Sequence, residues 1–239
     1  MEANRHDGAD VLTDLPDLPR WLHARGLLLT GRGHVVHAGD GCWLVCSRSE
    51  RLAVPVTLEL SPAIDECVQR ETPGATLLLQ DVMLPAARYH LPEWDTVPLT
   101  LYTVDPEQVQ QWPLPWCPTA PIDGAAIEAA AHLPSALRLQ LLAAVSRSPV
   151  WAASVDERPM SFAWAPIGTE GWYDVSVCTL DEARGRGLGR SAVMGLVASR
   201  LPEGLRPVLS ARGQTEAAHR LARGLGFDPV DQLWEARRA

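Results

Sequence analysis

Three arginines and three glycines stand within seven residues at Arg184-Gly185-Arg186-Gly187-Leu188-Gly189-Arg190. Glycine lets a backbone turn through left-handed conformations and come close to a ligand. The segment that follows carries Val193, Met194, Leu196, Val197 and Leu201 at helical spacing. The glycine-arginine run therefore opens a helix, where unpaired N–H groups and partial positive charge hold anions. Arginine adds planar donor forks suited to phosphate oxygens. The chemistry this stretch can do is phosphate binding.

What is missing narrows the ligand. A P-loop ends in Gly-Lys-Ser/Thr, and this chain contains no lysine. A dinucleotide site needs its glycines after the first strand of a βαβ unit, with an acid about 20 residues on. Here the run lies late in the chain and no convincing acid follows.

Two carboxylates, Asp174 and Glu170, precede the run. Either has the chemistry of a general base. Asp174 lies in an alternating apolar segment, where a carboxylate is costly without partners and burial raises its pKa. The competing reading is that Asp174 holds a neighbouring loop and that Glu170, beside a glycine turn, is solvated. Alternation puts Asp174, Ser176 and Cys178 on one strand face. No histidine accompanies Cys178, so it reads as a small core residue rather than a nucleophile.

The positioning elements follow from periodicity. Trp172 to Leu180 is β-branched and alternating and reads as a strand. Arg206 to Ala211 reads as a second strand, Glu216 to Leu225 as a helix, and Gly226-Phe227 closes it. A tail strand is expected around Gln232 to Ala236. Upstream, Ile122–Ala131 and Pro134–Ser146 read as helices broken at Pro134. Val150–Asp156 and Met160–Ala165 read as a hairpin.

The pattern Arg184-x-x-Gly187-x-Gly189 after a strand ending at Thr179, with Gly226-Phe227 closing a later helix, resembles the acyl-coenzyme A loop of the GNAT N-acetyltransferase superfamily. The resemblance covers about the last half of the chain, and the wider wording is similar to bacterial two-part members. It implies an α/β fold with a mixed sheet. Acetyl-coenzyme A would be co-substrate, its pyrophosphate on backbone N–H groups of Gly185, Arg186, Gly187, Leu188, Gly189 and Arg190, with Arg184 alongside. Backbone groups of Val177 and Thr179 would pair with the pantetheine arm. The reaction implied is direct acetyl transfer to a small-molecule or peptidic amine. The superfamily tyrosine that protonates the leaving thiolate falls at Ala222, so Tyr173, Cys178 or water would substitute. That departure keeps a second reading open, a coenzyme A-binding module without catalysis. A third is a phosphate-binding α/β domain with another ligand.

Leu18–Leu28 and Ser61 to Glu71 read as helices in the first half. Gly41–Cys46, Leu52–Leu60, Ala75–Gln80 and Val97–Val104 read as strands, with a helix at Val82–His90. Ser61-Pro62-Ala63 stands where a phosphate loop would be. Residues 1–112 are expected to form a smaller α/β domain, either a degenerate GNAT-like half or an unrelated cap. Pro113, Pro115, Pro118 and Pro121 mark 113–121 as a connector, and 122–239 as the coenzyme A-binding domain.

A net charge of −8 argues against nucleic-acid binding. All 21 basic residues other than histidine are arginine, as expected from a GC-rich bacterial genome. No Cys-x-x-Cys occurs among the five cysteines, and reduced cytoplasmic thiols are expected. His34 and His37 make half a metal set that nothing completes, so no metal is expected. No stretch is long and apolar enough for a membrane. The polar N-terminus, Met1 to Asp10, does not resemble a signal peptide, and residues 1–16 are expected to be frayed.

Overall fold

Apolar alternation and the punctuation of glycine and proline set the order of elements. The computed structural model describes residues 8–239, so the expectations for residues 1–7 lie outside the described residues. In chain order the elements are α1 (Gly8–Asp14), α2 (Leu22–Leu29), β1 (His34–His37), β2 (Trp43–Ser47), β3 (Leu52–Pro55), α3 (Ile64–Glu71), β4 (Thr76–Gln80) and α4 (Leu84–His90). They continue with β5 (Trp94–Thr103), α5 (Pro106–Gln110), β6 (Thr119–Ile122), α6 (Gly124–Ala129), α7 (Ser135–Val145), β7 (Val150–Val155) and β8 (Arg158–Trp164). The chain ends with β9 (Trp172–Asp174), β10 (Ser176–Thr179), α8 (Leu188–Arg200), β11 (Arg206–Arg212), α9 (Glu216–Gly224) and β12 (Asp228–Arg238). No helix among the described residues is long and apolar enough to cross a membrane.

These elements form two compact units. Among the described residues, the first comprises 8–101, 211–215 and 229–239, and the second comprises 102–210 and 216–228. In the first, the strands run β1-β2-β3-β4-β12-β5. β3 and β4 are parallel across α3, with Leu52 opposite Thr76, and β12 is antiparallel to β4, with Leu233 opposite Gln80. Leu44, Ile64, Leu77, Leu79 and Met83 build the core there, and Cys42, Cys46 and Cys67 are packed into it. Ser61 does not cap α3 directly. Its Oγ accepts from the Ala63 N–H (3.2 Å), which makes a turn ahead of the helix. His34 and His37 end β1, His34 Nε2 lying 3.4 Å from Glu71 Oε2.

In the second unit β6, β7, β8 and β10 form an antiparallel sheet. Asp123 starts α6 by accepting from the Ala126 N–H (2.8 Å), the usual role of an N-cap carboxylate. Helix α8 packs on the sheet so closely that a Cβ on Gly195 would lie 2.5 Å from Trp151 Cε3. β11 runs parallel to β9, with Val208 opposite Asp174.

The unit boundary falls at Leu101/Tyr102 instead of in the proline-rich stretch. Residues 113–121, expected as a connector, lie inside the second unit. The Cys117 N–H there donates to Ser191 Oγ (3.2 Å). Thr119–Ile122 becomes edge strand β6, where Pro121 costs no central ladder bond. The tail joins the first unit because β12 completes its ladder with β4.

Candidate functional site

The segment expected as one strand, Trp172 to Leu180, divides between two sheets. Its hydrogen-bonding alternation continues unbroken through the division. The Asp174 N–H donates to Ile167 O (3.0 Å), and the Leu180 N–H donates to Met160 O (2.9 Å). Between them Ser176, Val177, Cys178 and Thr179 lie opposite Trp164, Ala163, Phe162 and Ser161 of β8. Even-numbered residues therefore bond toward β8, and odd-numbered ones present N–H and C=O to the other edge. On that edge the Val175 N–H still reaches Val208 O of β11 (2.8 Å). Beyond it β10 ends its sheet. The backbone groups of Val177 and Thr179 thus face an open strand edge, a template for an extended partner.

The edge leads into the glycine-arginine loop. Gly187 has φ +79° and caps α8, and Gly185 has φ +74°. Nothing lies within 4 Å of a Cβ built on either, so backbone conformation requires these glycines and the space above them stays open. Gly189 does different work. A Cβ there would meet Thr179 Oγ1 at 3.1 Å, so its bareness lets α8 close onto β10. The first helical bond runs from the Ser191 N–H to Gly187 O (3.1 Å). The N–H groups of Leu188, Gly189 and Arg190 precede it and have no acceptor within the helix. Leu188 and Ala183 are buried and anchor the loop at both sides. Arg184 pairs with Asp181 (2.8 Å), both largely exposed, while Arg186 and Arg190 are exposed. The cradle and open edge fit a phosphate joined to an extended, amide-bearing arm.

The two carboxylates occupy different settings. Asp174 is 9% exposed. Gly189 of α8 approaches Thr179 and Val177, and the Arg200 guanidinium lies over the Tyr173 ring (5.1 Å). The odd-numbered face is therefore the one under α8. Asp174, Ser176 and Cys178 share the opposite face, as alternation predicts. Glu170 is exposed in the turn before β9. It stands nine residues from Thr179, about 30 Å of extended chain.

Tyr173 does not fill the missing tyrosine's place. Its ring is buried against Arg200, the last residue of α8, about 18 Å of helix from the loop. Its hydroxyl is buried without a hydrogen-bond partner, and burial pushes its pKa up. Burial likewise raises the Cys178 thiol, only partly offset by Arg184, so it stays protonated at neutral pH. Ala222 is fully buried on α9. One turn earlier His219 Nδ1 lies 2.8 Å from the Tyr102 hydroxyl. Sequence reading missed this pair, which joins positions 117 residues apart with no local signal.

Solved structures resemble the whole chain. A GCN5-related N-acetyltransferase-like protein from Streptococcus suis matches with TM-score 0.63 at 16% identity, covering 96% of each chain. A GCN5-related N-acetyltransferase from Kribbella flavida matches with TM-score 0.64 at 19% identity, covering 92% of this chain and 94% of its own. The chain has the GNAT fold. A tandem GNAT protein from the clavulanic acid biosynthesis pathway also matches, with TM-score 0.52 at 14% identity over 87% of this chain. The likeness therefore extends beyond the half that carries the GNAT motif. Neither a protein-family model nor a curated protein matches the sequence.

Proposed function

We propose that the protein is an N-acetyltransferase that moves an acetyl group from acetyl-coenzyme A to a small-molecule or peptidic amine in a ternary complex. The observation that carries this reading is the continuity of the open β10 edge at Val177 and Thr179 with the N-terminal cradle of α8. A strand edge suits the amide-bearing pantetheine arm, and the cradle suits the pyrophosphate. The N–H groups from Gly185 to Arg190 would hold the phosphates, with Arg184, Arg186 and Arg190 supplying charge. One edge N–H would polarise the thioester oxygen.

In the reaction the amine nitrogen bonds to the thioester carbonyl carbon, the C–S bond breaks and the amine loses a proton. Asp174 is assigned as the base, directly or through a water, because it is buried on the strand that leads to the cradle. Glu170, exposed beyond the strand, is the weaker candidate. With Ala222 at the superfamily's tyrosine position, the leaving thiolate takes its proton from water. This reading carries a cytoplasmic location with it, where acetyl-coenzyme A is made and thiols stay reduced.

Calorimetric titration with acetyl-coenzyme A, coenzyme A and adenosine diphosphate tests the reading. Micromolar binding that weakens sharply without the pantetheine arm is expected. Absence of binding to all three would leave the loop as a helix entry and remove the enzyme reading. Ala222 specifically favours a second reading, a coenzyme A-binding module without turnover. Retained affinity with no acetylated product across an amine panel would select it.

A further inference from the structure

On the sheet face turned away from α8 the second unit holds a cleft of about 450 Å³. Short side chains make its walls: Ala120 and Ile122 of β6, Ala152 of β7, and Ala126 and Ala129 of α6. His132 and the β7–β8 turn at Glu157, Arg158 and Pro159 complete the lining. We propose that this cleft is a second binding site, for a free α-amino acid with a large apolar side chain. The proposal goes beyond the transfer reaction and does not depend on it.

Alternation fixes the face. Trp151 of β7 lies against Gly195 of α8, so its neighbour Ala152 points to the opposite face. Ala120, Ala152, Phe162 and Cys178 are cross-strand partners in one row. Two strand spacings, about 10 Å, separate Ala152 from Cys178, with buried Phe162 between them. The open edge of β10 lies on its far side, away from β8. An amine seated in the cleft therefore stays away from a thioester at that edge.

The alanine walls leave room for a ring, and the volume lies in the range of small-ligand pockets. Recognition of the polar end comes from the turn. Asp156 and Glu157 have φ +48° and +62°, the paired left-handed conformation that asparagine and glycine adopt most easily in a two-residue hairpin turn. Other residues hold strain there, and such strain collects at ligand sites. What it maintains here is a carboxylate at Glu157 beside a guanidinium at Arg158. Both residues are exposed, and among the described residues neither side chain has a hydrogen bond or ion pair. Their Cα atoms are about 3.8 Å apart, so the turn sets an anion next to a cation. That is the complement of the ammonium and carboxylate flanking one carbon of an α-amino acid, and arginine suits the carboxylate by its planar fork. The site is also held in shape. The His132 Nε2–H donates to Pro159 O (2.9 Å), which pins the chain after α6 to the turn.

The test is calorimetric titration of the full chain with three probes. These are L-phenylalanine, phenylalaninamide, which lacks the carboxylate, and 3-phenylpropionate, which lacks the ammonium. L-phenylalanine is expected to bind saturably at one site, each analogue about tenfold more weakly, and excess coenzyme A is expected to leave this binding unchanged. Glu157→Gly suits the left-handed turn better than the native residue. It should keep or raise the thermal midpoint while weakening L-phenylalanine about tenfold, a split that a purely structural role would not give. Ala126→Phe fills the cleft from an exposed position and should abolish binding. No saturable binding, displacement by coenzyme A, or unchanged affinity in either variant would overturn the proposal. Equal affinity for phenylalaninamide would overturn it too, since the site would then read amines in general. None of these outcomes bears on whether coenzyme A binds at the α8 cradle, so the donor reading stands or falls separately.

Discussion

Gly187 shows how one residue type serves two requirements. A left-handed conformation costs an L-residue about 1–2 kcal/mol, and a side chain at φ +79° would project into space that is otherwise open. Gly187→Val should therefore lower stability by that modest amount while abolishing coenzyme A affinity. Calorimetry on a variant that keeps its far-ultraviolet circular dichroism checks this, and unchanged affinity would take the loop out of the mechanism. Asp174 invites a complementary substitution. Asp174→Asn preserves shape and removes the base, so acetyl transfer should fall at least a hundredfold while coenzyme A affinity changes less than threefold. Loss of the acidic limb of the rate-versus-pH profile is the signature of a base. An unchanged profile would make Asp174 structural.

Helix α8 is the element on which the site depends. Its N-terminus forms the proposed donor cradle, Gly189 lets it approach β10 and Gly195 lets it approach β7, and its last residue lies over Tyr173. The approach to β7 is set at Gly195, where an added methyl would press on Trp151 at 2.5 Å and approach Thr119 Oγ1 at 3.2 Å. Gly195→Ala gains helix propensity worth about 1 kcal/mol, but overpacking costs about 1–3 kcal/mol and more when a ring must move. The net expectation is destabilisation, read as a lower thermal midpoint, together with weaker coenzyme A binding as α8 shifts off β10. A midpoint equal to or above wild type would show that Trp151 yields without cost. Four elements escaped sequence reading at this scale: α1, in the stretch expected to be frayed, β1, α5 and β6. Short α5 and the edge strand β6 lie in proline-rich sequence without clear periodicity. By contrast, the boundaries of α6, α7, β7 and β8 were legible to within a few residues, because amphipathic spacing and Pro134 mark them.

At the scale of the whole molecule, thiols buried in the first unit couple folding to pH. Burial pushes Cys46 up to about 12, with Thr72 opposing, and raises Cys42 and Cys67 as well. A thiol whose folded pKa lies above its unfolded value stabilises the fold fully below the unfolded value. That contribution is lost as pH rises between the two. The thermal midpoint should therefore decline from about pH 9 upward. Cys46→Ala should start lower, because it leaves a cavity, yet decline less steeply. Parallel slopes for the two proteins would show that Cys46 titrates alike in the folded and unfolded states. The division into units belongs to this scale too. Proline spacing marked 113–121, but the boundary falls at Leu101/Tyr102, and the tail belongs to the first unit because β12 pairs with β4, some 150 residues away in sequence.

The sequence by itself determined the strand, the glycine-arginine turn and the helix entry. Those features depend on φ requirements, side-chain alternation and unpaired helix N–H groups, all of which act within about twenty residues. It also placed Asp174, Ser176 and Cys178 on one face, since alternation is a property of the strand alone. Only the tertiary structure decided that β10 keeps an open edge while β9 does not, because this depends on where Val208 and Ile167 lie. It likewise turned Tyr173 under Arg200 and away from the loop, joined Tyr102 to His219, and made a cleft from α6, β6 and the β7–β8 turn. Each of these unites residues far apart in the chain, and no local pattern encodes such a meeting.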